Sequence, residues 1–508
     1  MTKTILTTAL ALLFILTTAT ADSVHRGPGC WRTHTARQKA AARLATQKPT
    51  DSDILTNYRG QKKGLVILCE FTDKKFLDAH DRDKYRDILN THGYATNEGF
   101  RGSVADYFRD QSAGLFELNF DVVGPFTTKK DYKYYGKNDA DGLDLYPHEM
   151  IIEMCKAADP QVNYADYDWD EDGIVDEVFV VYAGKGEADT NQESTIWPHM
   201  WTLTEAQDAT LTLDGVEIDV YACANELKSS GRINGIGTFC HEFSHCLGLP
   251  DFYDIYYSGG FGMDDFDVMS GGSYGGNGFC PVGYTTYEKM ACGWLQPIVL
   301  GNEDVTVDSL KPMNEHGNTY IIYNDAYPDE YYLIENRQKK GWDADYPDQG
   351  LLITHVDYDE DVWYNNIPNS VISEKDAIND GLTCGNDHPR MTMFHADNDD
   401  KYLASDLYPW YRSDSLTATS KPAATLYHKN SAGTKLMQGA ILSIRQNSGG
   451  TMAFSYRAPK QPVADGITEV TGRRRSETVY TIDGRAAGTA LQSLRHGIYI
   501  VGGKKVVR

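Results

Sequence analysis

The chain has 508 residues, with 72 acidic against 48 basic side chains and a formal net charge of −24 at neutral pH. A field of that sign repels phosphate backbones and excludes nucleic acid as an expected partner, and the length exceeds one ordinary core, so two to four packed units are expected. Nine cysteines at irregular spacing, with no C-x-x-C pair, exclude a dense disulfide framework.

Lys3, the apolar run Ala9 to Leu16 and the small residues Ala19-Thr20-Ala21 have the three-part layout of a signal peptide over 1–21. Export to a secreted, extracellular or cell-surface location is expected. The run is shorter than the roughly 20 apolar residues that span a bilayer, and no later segment comes closer, so a membrane-spanning chain is not expected. Residues 22–60 are polar and basic (Arg26, Arg32, Arg37, Lys39, Arg43) and read as a pro-segment or linker.

Gly64 to Phe71 is the first continuous apolar run of the kind found in buried strands, and Glu177 to Gly184 is the second. Helical patterns lie between them at 85–90 and 147–158. This alternation predicts a fold of the α+β class, with a mixed α/β catalytic domain over 61–300. Short β-rich runs at 320–322, 331–334 and 351–353 predict a β-rich subdomain over 301–457, packed on the first. A Pro-containing linker over 458–466 then leads to a small β module over 467–508. Its hairpin signals are Val479 to Ile482 before Asp483-Gly484 and Tyr499 to Val501 before Gly502-Gly503.

Asp168-Trp169-Asp170-Glu171-Asp172-Gly173-Ile174-Val175-Asp176 reads D-x-D-x-D-G-x-x-D, with alternate carboxylates and a glycine for the sharp turn. Phe179 stands where an EF-hand would place its closing glutamate. A structural calcium loop with ligands Asp168, Asp170, Asp172 and Asp176 is therefore predicted, against the plainer reading of a solvated acidic turn.

Residues 236, 239, 240, 243 and 247 are apolar at helical spacing, and Gly248 supplies a stop. On that helix His241 and His245 project one turn apart from one side and can grip one zinc ion, while Glu242 lies beside the open coordination position as a general base. Gly248 and Asp251 extend the pattern to H-E-x-x-H-x-x-G-x-x-D, making Asp251 the expected third ligand and Glu288 the alternative. Asp267-Val268-Met269-Ser270-Gly271-Gly272 places Met269 in a tight polar turn, the Met-turn that lies beneath the metal in metzincins. A Cys30 thiolate in the pro-segment is a candidate fourth zinc ligand holding the enzyme latent, against an exposed thiol or disulfide partner.

The segment His241 to Asp251 resembles the immune inhibitor A-like family of secreted zinc metallopeptidases. The resemblance extends to Gly102 to Phe108, Ile196 to His199, Tyr287-Glu288-Lys289 with Gly293-Trp294-Leu295, and Tyr331 to Arg337. It implies a metzincin-like catalytic domain, zinc at the two histidines, Glu242 as catalytic acid/base, structural calcium, and extracellular degradation of proteins. Cys246 within the motif and a short pro-segment depart from the family pattern. The C-terminal residues are similar to the sorting modules of exported Bacteroidetes proteins that use type IX secretion, which implies contact with a secretion machinery.

These residues describe a secreted zinc endopeptidase acting on proteins or peptides. Glu242 takes the proton of the attacking water, and the oxyanion is stabilised by zinc and by Tyr274 or His199. The competing class is a catalytically silent surface-binding protein on the same fold. It predicts a damaged motif, whereas His241, Glu242 and His245 are all in place.

Overall fold

A run such as Leu65-Val66-Ile67-Leu68-Cys69 offers no polar side to water, so it is stable only where both faces of a sheet are covered. The computed structural model describes residues 58–140, 142–207 and 209–459 and four short strands within 479–507, and in it this run is the buried half of strand β1 (Gly60–Glu70). Strands β2 (Phe116–Thr127), β3 (Val178–Lys185), β4 (His199–Thr202) and β5 (Val220–Leu227) complete a five-stranded sheet in the order β2-β1-β3-β5-β4. All neighbours are parallel except β4, which runs antiparallel to β5 at the edge.

Helices α1 (Arg82–Asn90), α2 (Val104–Gln111), α3 (Pro147–Ala158) and α4 (Gly237–Cys246) surround the sheet. α2 starts at a capping box made by Ser103 and Asp106, and α3 carries a proline in its first turn, where the missing N–H costs nothing. Met150, Ile151, Met154 and Cys155 of α3 cover one face, against Leu65, Ile67, Val178 and Val180. Phe239 and Phe243 of α4 cover the other, against Val66, Leu68, Phe179 and Val181. The Phe239 ring stacks on Phe179 with centroids 3.8 Å apart. Burying such a ring contributes about 1.5–3 kcal/mol, so α4 is fixed in both depth and rotation, and with it the motif.

The mixed α/β catalytic domain is followed by β-rich regions, as expected. After α5 (Thr286–Ala291), strands β6 (Ile298–Val299), β8 (Tyr320–Tyr323), β9 (Glu330–Arg337), β10 (Gly350–Asp357) and β11 (Met391–Met393) form a sheet in the order β11-β10-β9-β8-β6. β7 (Val305–Leu310), β12 (Ala440–Gln446) and β13 (Met452–Arg457) form another, in the order β12-β13-β7. Packing has no gap at residue 300. The core around Phe239 and Met269 continues into Ile321, Leu333, Leu352, Val356 and Trp363.

The chain divides between Pro459 and Lys460. Beyond that point β14 (Val479–Thr481), β15 (Ala486–Gly488), β16 (Ile498–Val501) and β17 (Lys504–Val507) form an antiparallel sheet in the order β15-β14-β16-β17. The expected signal peptide over 1–21, nearly all of the segment 22–60 with Cys30, most of the expected linker over 458–466 and both expected C-terminal hairpin turns lie outside the described residues. Among the described residues all cysteines are free thiols, and no helix is long and apolar enough to cross a membrane.

Candidate metal centre

With Phe239, Cys240 and Phe243 of α4 turned into the core, His241 and His245 leave the helix on another side, their ring centroids 4.8 Å apart. Nδ1 of each ring is hydrogen-bonded to a backbone carbonyl, His241 to Val268 and His245 to Leu249, both at 2.8 Å. A carbonyl only accepts, so each Nδ1 carries the proton and each Nε2 keeps its lone pair, the tautomer that a metal needs.

The next step of the chain supplies a third group. Gly248, at φ +90°, lets the backbone turn back beneath His245, and Asp251 arrives at the imidazoles. Its Oδ1 lies 3.1 Å from His241 Nε2 and 3.3 Å from His245 Nε2. Ligands bonded at about 2.0–2.1 Å to a tetrahedral ion stand about 3.3 Å from one another, so the spacing fits one small cation. Asp251 Oδ1 and Glu242 Oε2 are both buried without a hydrogen bond. A polar atom left so costs about 1–3 kcal/mol, a cost that a cation and its water remove.

The local field has the same bias. Burial opposes charge on His241, but the Asp251 carboxylate 3.1 Å away and that of Glu242 outweigh it and push the imidazole up to about 9. Burial also opposes charge on Asp251, yet the two histidines hold it well below the usual carboxylate range. Glu242 is raised by burial against the pull of the same histidines. The field of the two carboxylates therefore favours positive charge beside the imidazoles, which a bound cation would supply.

The turn at 267–272 positions both sides of this group. Asp267 Oδ1 accepts the Met269 N–H at 2.7 Å, and the Asp267 carbonyl accepts that of Gly272 at 2.9 Å. The Val268 carbonyl orients His241, while the Met269 carbonyl accepts the Phe252 N–H at 2.7 Å and fixes the residue after Asp251. Met269 itself is fully buried. The helix sits close to the chain beyond this turn, for a Cβ on Gly237 would lie 1.9 Å from the Ser273 carbonyl oxygen.

His241 and Glu242 open into a cleft of 580 Å³ between Trp197-Pro198 and the 253–261 loop, with Tyr274 and Tyr257 on its walls. Tyr274 is 57% exposed there. His199 is not brought to this site. It lies beside Tyr221 and Cys223 of the opposite face, its Nδ1 donating to the Trp197 carbonyl at 2.6 Å and its Nε2 accepting from the Tyr221 hydroxyl at 3.2 Å. Burial pushes it down to about 4, so it is a neutral structural imidazole. Glu288 is also elsewhere. It caps α5, accepting the Thr285 N–H at 2.7 Å, and its charge adds to the burial that pushes the Asp267 carboxyl well up.

In the acidic loop, oxygens of Asp168, Asp170 and Asp176 lie within 4.8 Å of one another. Asp172 stands outside that group, accepting the Ile174 N–H at 2.9 Å. Tyr257 and Asn366 are residues at the metal centre that the sequence reading did not single out. Asn366 donates to Asp251 Oδ2 at 2.7 Å.

Residues 53–302 match the profile described as the immune inhibitor A peptidase M6 catalytic domain. This segment belongs to the peptidase M6 family. The chain is 26% identical over 286 residues to the pre-pro-metalloprotease PrtV of Vibrio cholerae serotype O1, an alignment covering 46% of this chain and 30% of that protein. It is 25% identical over 300 residues to immune inhibitor A of Bacillus thuringiensis subsp. alesti, covering 51% of this chain and 42% of that one. The chain thus spans less than half the length of either relative. The His241, His245 and Asp251 group falls within the M6 segment, whereas Asn366 lies outside it.

Proposed function

We propose that this chain is a secreted zinc-dependent endopeptidase with His241, His245 and Asp251 as metal ligands and Glu242 as general base and acid. The observation that carries the reading is that two imidazole Nε2 atoms each lie at about a tetrahedral edge length from one carboxylate oxygen of Asp251. Zinc bound there supplies Lewis acidity, polarising the scissile carbonyl and lowering the pKa of the attacking water. Glu242, buried beside the cleft with an oxygen free of hydrogen bonds, accepts that water's proton and returns it to the leaving amine. The cleft would receive the peptide, and Tyr274 on its wall is proposed to donate to the developing oxyanion. The metalloprotease name of the Vibrio relative supports metal dependence, the leader pattern supports export, and the C-terminal strands are the part a secretion machinery would engage. Casein cleavage by the full chain is expected to stop with 1,10-phenanthroline and to return with stoichiometric zinc. Cleavage that survives the chelator would defeat the proposal.

The acidic loop is proposed as a structural calcium site formed by Asp168, Asp170 and Asp176, which Asp172 joins once its carboxylate turns from the Ile174 N–H. Facing carboxylates repel without a cation, so a calcium ion bound only to the folded chain stabilises it by mass action. Removing calcium is expected to lower the melting temperature by several degrees, and Asp170→Asn with Asp172→Asn to blunt that response. Identical melting curves of the wild type with calcium and with a calcium chelator would rule the site out.

A further inference from the structure

Asp251 can serve as a ligand only if one particular oxygen faces the imidazoles, and nothing in the H-E-x-x-H-x-x-G-x-x-D stretch fixes that choice. The fixing contact comes from far along the chain. Asn366, 1% exposed, faces Asp251 with both ends of its amide. Its Oδ1 accepts the Asp251 backbone N–H at 2.6 Å, and its Nδ2 donates to Asp251 Oδ2 at 2.7 Å. Only this orientation of the amide satisfies both partners, since an N–H needs an acceptor and a carboxylate needs a donor. With Oδ2 so engaged, Oδ1 is the oxygen left toward His241 and His245.

Asn366 is itself held by a docked segment. It follows the short helix Glu360–Tyr364, adopts a left-handed φ of +56° that asparagine tolerates, and donates its N–H to the Trp363 carbonyl at 3.1 Å. Asn369 then donates to the Phe252 carbonyl at 2.9 Å, and the Val371 N–H donates to Ser258 Oγ at 3.1 Å. Together with the Asn366 contacts they hold the ligand loop from Asp251 to Ser258. All of them come from beyond residue 302, where the peptidase M6 segment ends.

We infer that Asn366 is a positioning residue for the metal ligand Asp251, and that the β-rich region completes a metal site which residues 53–302 do not complete alone. The inference rests on the zinc reading above. It goes beyond that reading by making zinc retention depend on the docking of the 360–371 segment.

The test is zinc affinity of the full chain by competition with a chromophoric chelator, for the wild type, Asn366→Gly and Asn366→Asp. Glycine removes the amide without straining the positive φ, and aspartate keeps the acceptor for the Asp251 N–H while losing the donor to Oδ2. Partners behind a metal ligand are typically worth about 10–100-fold in metal affinity. Both variants are expected to bind zinc about 10–100-fold more weakly, to release it faster, and to regain activity in excess zinc. A purely structural role would instead lower the melting temperature of the zinc-free chain and leave the zinc constant alone. Zinc constants within twofold of wild type in both variants overturn this inference and leave the zinc reading standing. A wild type that holds no zinc at all removes both.

Discussion

Glu242→Gln is expected to lower kcat/KM for casein or a peptide by about 10²–10⁴-fold, the span of general acid–base catalysis, while zinc content stays at the wild-type level. The substitution keeps the size of a side chain that is buried beside the cleft and removes its capacity to take a proton from water. The three proposed ligands are untouched, and the backbone carbonyls that fix their tautomers are those of Val268 and Leu249, not groups of residue 242. His245→Ala is the contrasting case. It removes one of the three converging atoms, so zinc and activity should be lost together. Mass spectrometry for metal content alongside initial rates separates the two. A Glu242→Gln enzyme within a few-fold of wild type would end the general-base assignment, and unchanged zinc in His245→Ala would mean that the metal lies elsewhere.

The part of this centre legible in the sequence is the part written in local spacing. A spacing of four from His241 to His245 is one helical turn, and one glycine after the helix is enough to bring Asp251 back. Met269 is legible for the same reason, since its turn is built from neighbours. The β-rich character beyond residue 300 is legible as short apolar runs. In the first sheet β1 and β3 stand out as continuous apolar runs, whereas β5, equally buried on both faces, is interrupted by Asn225 and Glu226. β2 alternates buried Phe116, Leu118 and Phe120 with exposed Glu117 and Asn119, a pattern of period two that a search for continuous apolar runs passes over.

His199 and Glu288 mark the opposite limit. Whether His199 reaches the cleft depends on one step of strand parity. Met200 and Ala222 turn toward α4, so His199, with Tyr221 and Cys223, turns away. A four-residue strand gives no pattern long enough to reveal that parity. Glu288 does carry a local sign, Thr285-x-x-Glu288, which is a helix-capping pattern and accounts for its carboxylate without a metal. Asn366 has no such sign. It stands 115 positions from Asp251 and meets it only because two parts of the chain dock.

That docking sets the largest expected loss of stability. Arg337 of β9 is 0% exposed, and it donates to the carbonyls of Gly283 and Tyr284 at 2.8 and 3.0 Å. It also pairs with Glu335 at 3.2 Å and Asp343 at 2.7 Å, and the Tyr346 ring lies 4.5 Å from its guanidinium. One side chain thus joins the second sheet to the segment that leads into α5. Arg337→Met keeps most of the volume but leaves two buried carboxylates without their counter-charge, which typically costs about 3–5 kcal/mol. Set against a total stability of about 5–15 kcal/mol, that is a large fraction. Burial already raises both carboxyls, and Arg337 is the main force pulling them down. In the variant they should rise further, so the folded chain would take up protons that the unfolded chain has released. A carboxyl raised on folding favours the folded state at low pH and loses that contribution as pH climbs through its folded value. The deficit of Arg337→Met, read from urea unfolding midpoints, should therefore be smaller at pH 5 than at pH 8. Midpoints equal to wild type at both values would mean that the guanidinium does not hold the two regions together.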